Sequence, residues 1–226
     1  GGTVASMTTT LGRGFSAAGF WLLLLTASVA RAQHLEPRAY INVPVGMNSL
    51  IVGYTYSSGG LATDPAIPLT NAQLDIHSPF VAYARAFDAW GKSAKFAAVL
   101  AGGCLDGTAD LNGVPVSRAI CGMLDPTMRV AVNFYGAPAL EPKDFATYKQ
   151  DLIIGGSLQV QAPLGQYDSD KLVNIGTNRW SLKPEIGFSK AFGRWTVEFT
   201  PGVTFYTDNG DFFGGQTRQV APLVAL

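Results

Sequence analysis

Between Trp180 and Tyr206 the chain alternates apolar and polar residues with a period of two, and no other stretch limits the fold so closely. Trp180, Leu182, Pro184, Ile186 and Phe188 hold one parity; Ser181, Lys183, Glu185, Gly187 and Ser189 hold the other. After Ala191-Phe192-Gly193-Arg194 the pattern resumes, with Trp195, Val197, Phe199, Pro201, Val203 and Phe205 against Thr196, Glu198, Thr200, Gly202, Thr204 and Tyr206. Period two sends successive side chains to opposite faces of a strand, so the segment reads as an antiparallel hairpin with one oily face. A turn at Phe192-Gly193 would set Ile186 against Phe199, Phe188 against Val197 and Glu185 against Thr200, keeping like with like.

Strands of a soluble sandwich usually run about 5–6 residues. These are longer, near the roughly 9–11 residues of a tilted strand crossing a bilayer. Trp180 and Trp195 stand at strand ends, where the aromatic girdles of an outer-membrane barrel lie. In that reading the oily row meets lipid and the polar row faces a lumen. A soluble two-layer protein stays open as the alternative from the hairpin alone.

Residues 7–32 bear on the choice. Met7 opens a short segment carrying Arg13, an apolar run follows from Ala17 to Leu25, and Ala30-Arg31-Ala32 is a small-x-small cleavage site. That is the layout of a secretory signal peptide, with a mature chain starting near Gln33. The run is shorter than the ~20 residues of a membrane-spanning helix. Residues 1–6 read as upstream remnant, so 1–32 stand apart from one barrel domain over 33–226. Sixteen basic and sixteen acidic residues cancel, which leaves no nucleic-acid footprint. Export combined with weakly hydrophobic alternating strands predicts an all-β antiparallel transmembrane barrel. Its location would be the outer membrane of a Gram-negative bacterium, its partners the lipid bilayer and small solutes.

The other strands follow the same rule. Asn48–Ser58 alternates, and Ser57-Ser58-Gly59-Gly60 through Pro65 and Pro68 reads as a loop. A short extended piece is expected around Arg38–Val43. Asn71–Phe87 carries Leu74, Ile76, Phe80, Ala82, Ala84 and Ala86 on one side and Asp75, His77, Tyr83 and Arg85 on the other, with a bend or bulge expected at Pro79. Ser93–Ala101 puts Phe96, Ala98 and Leu100 outward and Lys95 inward. A long Gly/Asp-rich loop is expected from Gly102 to Pro126; it holds Cys104 and Cys121, which an exported protein would join as a disulfide. Thr127–Tyr135 and Asp151–Gln161 alternate again. Between them, Glu141–Tyr148 reads as a short helix with Pro142 in its first turn, capping one end of the barrel.

About seven or eight strands result, and seven is odd where closed single-chain barrels are even. The last Asp/Gly-rich segment, Asp208–Gln216, leads only into a short tail. The expectation is therefore a C-terminally truncated fragment of a longer barrel.

Several runs resemble one family of exported proteins. They are Leu35–Tyr40, Val52–Gly59, Val132–Leu140, Ala162–Tyr167, Asn174–Trp180 and Phe205–Gly215. The family is the one named for a MetA pathway of phenol degradation, often labelled simply as transporters. The resemblance implies an outer-membrane barrel related in role to channels for hydrophobic aromatic compounds. It supplies no catalytic residues. Its members continue beyond Gln216, and Ala101-Gly102-Gly103-Cys104 departs from their aromatic-containing loop start.

Enzymatic signals are poor. His34 and His77 are the only histidines, and Asp75 with His77 merely share a strand face. No cofactor or metal is called for: two thiolates are too few for a closed zinc site. The informative set is the polar row assigned to the lumen: Asp75, His77, Arg85, Lys95, Arg129, Asn133, Lys183, Glu185 and Glu198, with Gly202 expected opposite Lys183. Such residues either line a water-filled passage or pair and plug it. The predicted function is an outer-membrane channel for passive uptake of small hydrophobic or aromatic compounds. The alternative is a non-conducting barrel with a plugged lumen.

Overall fold

The computed structural model describes residues 39–60 and 69–225. The signal segment, the mature start, His34 and the proline-containing loop at 61–68 lie outside the described residues. Antiparallel strands dominate what is described. They are β1 (Asn48–Gly60), β2 (Leu69–Ala89), β3 (Lys92–Leu111), β4 (Val114–Met123), β5 (Thr127–Tyr135), β6 (Leu152–Gln161), β7 (Ser181–Phe192), β8 (Trp195–Phe199), β9 (Gly202–Tyr206), β10 (Asn209–Phe212), β11 (Gln216–Arg218) and β12 (Leu223–Ala225). The main sheet runs β1-β2-β3-β5-β6-β7-β9-β12, with β4 also on β3 and β8 also on β7; β10 and β11 pair separately. Among the described residues β1 and β12 do not pair with each other.

The turns set the registers. Trp90-Gly91 and Asn112-Gly113 each place two consecutive residues at positive φ, the type I′ geometry whose twist matches the flanking strands. The second of these turns the expected loop at 102–126 into a hairpin: β4 pairs with the far half of β3 from Leu111↔Val114 to Gly102↔Met123. Glycines and aspartates there lie within strands, so composition misread the segment. In the hairpin of β7 and β8 the turn is Gly193-Arg194, not Phe192-Gly193, and Phe188 faces Phe199. Glycine stands first, at φ +62°, as a type II′ turn requires; the other choice would have forced positive φ on Phe192. The shift is two residues, so the faces keep their assignment while Glu185, rather than Lys183, meets Gly202.

Three smaller expectations also change. Ser57–Gly60 extend β1 rather than opening a loop. Pairing passes Pro79 without a register shift, which falls instead between Thr70 and Gln73. The Ser78 hydroxyl donates to the Gly102 carbonyl beside Pro79, a donor where proline has none. The helix is a single turn, α1 (Pro142–Phe145), with Phe145 and Tyr148 rings 5.5 Å apart just beyond it.

The two faces of the sheet differ. Val81, Met128, Val130, Leu158, Leu182, Ile186, Val197 and Phe199 are exposed on one face. A continuous apolar surface of this extent marks contact with lipid or partner rather than water. The opposite face is concave and holds the buried residues: Ala86, Ala131, Asn133, Ile153, Glu185 and Ser189. The end of the sheet with the Trp90-Gly91 and Gly193-Arg194 turns is called the near end; the Asn112-Gly113 tip marks the far end.

Candidate functional site: the concave face of the sheet

In the near half the concave face is occupied by residues 39–46. Turns and a bend fall at 39–41 and 45–46, and no strand forms at 39–43, where an extended piece was expected; Arg38 lies outside the described residues. Tyr40 is wholly buried. Its ring fits because β6 and β7 offer Gly155 and Gly187 there: a Cβ on Gly187 would stand 2.1 Å from the ring, and one on Gly155 2.7 Å away. The Tyr40 hydroxyl donates to Ser157 Oγ at 3.0 Å, and Asn133 Nδ2 donates to the Tyr40 carbonyl at 3.2 Å. Lys95 Nζ donates to the carbonyls of Ala39 and Ile41. The segment continues outward through Val45, whose amide donates to Leu140 O, and Gly46, whose amide donates to Ala86 O.

Beside Tyr40 lies a charged cluster from β5, β6 and β7. Glu185 accepts from Arg129 at 3.0 Å, from Lys183 at 2.8 Å and from the Ser157 hydroxyl at 3.0 Å. All three charged side chains are at most 12% exposed, so each charge depends on its partners. Gly202 clears space for the carboxylate stem, since a Cβ there would lie 2.8 Å from Glu185 Cγ. Glu198, opposite Ser189, is half-buried on the same face.

The far half is built differently. Asp125, in the break between β4 and β5, accepts from the amides of Gly165 and Thr177 at 2.8 Å each and from the Thr177 hydroxyl at 2.6 Å. It thereby pins both ends of the connection between β6 and β7. Asn174 closes the tip of that connection by donating to the carbonyls of Asp168 and Lys171. Asn209 ties it to β10, donating to the Tyr167 hydroxyl at 2.8 Å and accepting from Asn178 at 3.0 Å. Cys104 and Cys121 face each other across β3 and β4 and are joined as a disulfide.

Of the residues assigned to the lumen, Lys95, Arg129, Asn133, Lys183, Glu185 and Glu198 lie on the concave face, and the first five converge near Tyr40. Asp75, His77 and Arg85 do not. Lys95 faces Ala86, and Arg85 faces Phe96 across the same ladder, so Arg85 is on the outer face. Asp75 and His77 share its parity and are exposed there, with Tyr56 donating to Asp75 at 3.0 Å and Tyr54 bonded to the His77 ring. Polarity misassigned β2 for two reasons. Its inner face carries small Ala82, Ala84 and Ala86, the last of them bonded to Gly46 of the inserted segment, and its outer face becomes polar near each end, where a long side chain reaches water.

Tyr40, Asp125, Thr177 and Asn209 were not singled out as site residues from the sequence. Tyr40, Tyr167, Thr177, Asn178 and Asn209 do fall in the runs that carry the family resemblance, and the fold brings those runs together in two places.

An open antiparallel sheet, oily on one face and charged on the other, is the wall of a transmembrane β-barrel left unclosed among the described residues. Among solved structures the chain resembles an outer membrane channel from Pseudomonas putida F1, with a TM-score of 0.59 and 20% sequence identity. The likeness is one of fold and covers 80% of this chain and 63% of that one, so the chain spans less than two thirds of that channel's length. The chain belongs to the family described as "Putative MetA-pathway of phenol degradation", which it matches over residues 63–223. Among curated proteins none matches it.

Proposed function

We propose that this chain forms the wall of an outer-membrane channel that admits small solutes passively, without catalysis. The observation that carries the reading is the division of faces: Leu182, Ile186, Val197 and Phe199 exposed on one side, Lys183, Glu185 and Arg129 enclosed on the other. Lipid stabilises the first and an aqueous or polar interior the second. The near end would lie in the periplasm, with its two short turns, the lead-in and the helix-bearing connection at 136–151, and the long hairpin would lie outside the cell. Residues 7–32 would direct export, and residues 33–226 would form the barrel domain. Small hydrophobic or aromatic compounds are the proposed cargo, a choice that rests on the family's description.

A plugged, non-conducting barrel is favoured by one observation, the burial of Tyr40 among β5, β6 and β7. Planar-bilayer recordings of the complete protein separate the two. Conductance steps in the parent, enlarged in Tyr40→Ala and Gly187→Val, fit a channel narrowed by residues 39–46. Steps appearing only in the variants fit a plug. Absence of steps in all three would end the channel reading.

A further inference from the structure

The far half of the concave face contains a cavity of about 280 Å³, remote from the Tyr40 cluster. Leu74 of β2, Leu111 of β3 and Val116 of β4 form its wall; Leu172 and Val173 of the β6–β7 connection and Phe213 of the β10–β11 turn close it over. Arg118, Asp170 and Lys171 also line it, and Arg118 pairs with Asp168 at 3.8 Å. We infer that this cavity binds one small, uncharged, largely apolar molecule of single-ring size, on its way into the barrel.

Three features support that occupant. The size fits: an apolar cavity of about 150 Å³ already takes benzene, so this one has room for a ring and a substituent. The chemistry fits, because most of the lining surface comes from these six aliphatic or aromatic side chains, and seating a charged solute against it costs that solute much of its hydration. The site is also pre-formed. Asn174 fixes the loop that carries Leu172 and Val173, and Asp125 fixes both stems of that loop, so little ordering opposes binding.

Position gives the cavity its role. At ~3.3 Å per residue and a tilt of ~40°, residues 107–111 stand roughly 40 Å or more above the near-end turn of β3. An apolar band is ~25 Å tall, so the cavity lies beyond the membrane, at the mouth on the lumen side. A solute held there has left water before it meets the charged cluster around Glu185. The assignment rests on the channel reading for its purpose, but not for its binding.

Toluene is the probe, observed by saturation-transfer NMR on the full-length protein in detergent, with Leu172→Asp and Ala109→Phe as variants. Leu172→Asp puts a further charge in the cavity, and Ala109→Phe fills it from β3, where Ala109 also lines the wall. Binding by the parent, weakened at least tenfold in both variants, supports the site. Equal signals from all three mean that toluene partitions into the micelle only, and overturn it. Conductance read in parallel separates the two ideas. Binding without steps keeps the site and removes the channel; steps without binding keep the channel and remove the site.

Discussion

The two halves of the concave face share one sheet and one alternation, yet they are filled by opposite means. The near half is packed with an inserted segment and charges that satisfy one another: Tyr40 among Asn133, Ser157 and Gly187, and Glu185 among Arg129, Lys183 and Ser157. The far half is left hollow and roofed by a pinned loop over Leu74, Leu111 and Val116. The contrast teaches that alternation sets where a side chain points, while what occupies the interior depends on segments outside the alternating strands. Obstruction and capacity therefore depend on the lead-in and the long connection as well as on the sheet.

The contrast breaks first at Glu185. Glu185→Ala leaves Arg129 and Lys183 without their shared partner in a buried setting, a loss of about 3–5 kcal/mol. Urea titration of the heat-modifiable folded band of the full-length protein should show it. A variant as stable as its parent would mean that the cluster does not hold the near half together. The far half has its own fastener. Cys121→Ser, made with Cys104→Ser, removes a cross-link spanning 17 residues, worth about 3 kcal/mol by chain entropy. Hydrogen exchange should quicken in β3 and β4 above Gly102 while β6 and β7 stay protected. Equal quickening in β6 and β7 would show that the halves are not independent.

The smallest effect is expected at the near-end cap. Tyr148 donates to the Gly136 carbonyl at 2.7 Å, so Tyr148→Phe should cost about 1 kcal/mol. Burial raises the Tyr148 phenol above its ordinary range, offset in part by hydrogen bonding to Asn42. The folded state thus favours the protonated phenol. Its contribution is whole below the ordinary phenol range and fades as pH climbs through and above it. Melting curves of parent and variant should converge in alkali; a constant difference would remove Tyr148 from the pH response.

Strand existence and facing were legible wherever one face is uniformly oily. β5, β6 and β7 show that alternation plainly, and their lumen assignments coincide with the concave face. β2 was not legible, because the apolar row Ala82, Ala84 and Ala86 lies on the inner face, where it mimics a lipid-facing row. The β3–β4 hairpin hid behind glycine and aspartate, though its Asn112-Gly113 pair between alternating arms was an available signal. The Gly193-Arg194 turn could have been chosen by asking which residue must take positive φ. Tyr40 was beyond reach, since no local pattern reports a contact with strands more than a hundred residues away; its partner Ser157 is 117 residues along the chain.

The enclosure of Tyr40 also constrains how this molecule is assembled. A ring seated against Gly155 and Gly187, with its carbonyl held by Asn133, finds its seat only where β5, β6 and β7 lie side by side. Assembly of the wall then depends on a segment that precedes β1 meeting β5, β6 and β7.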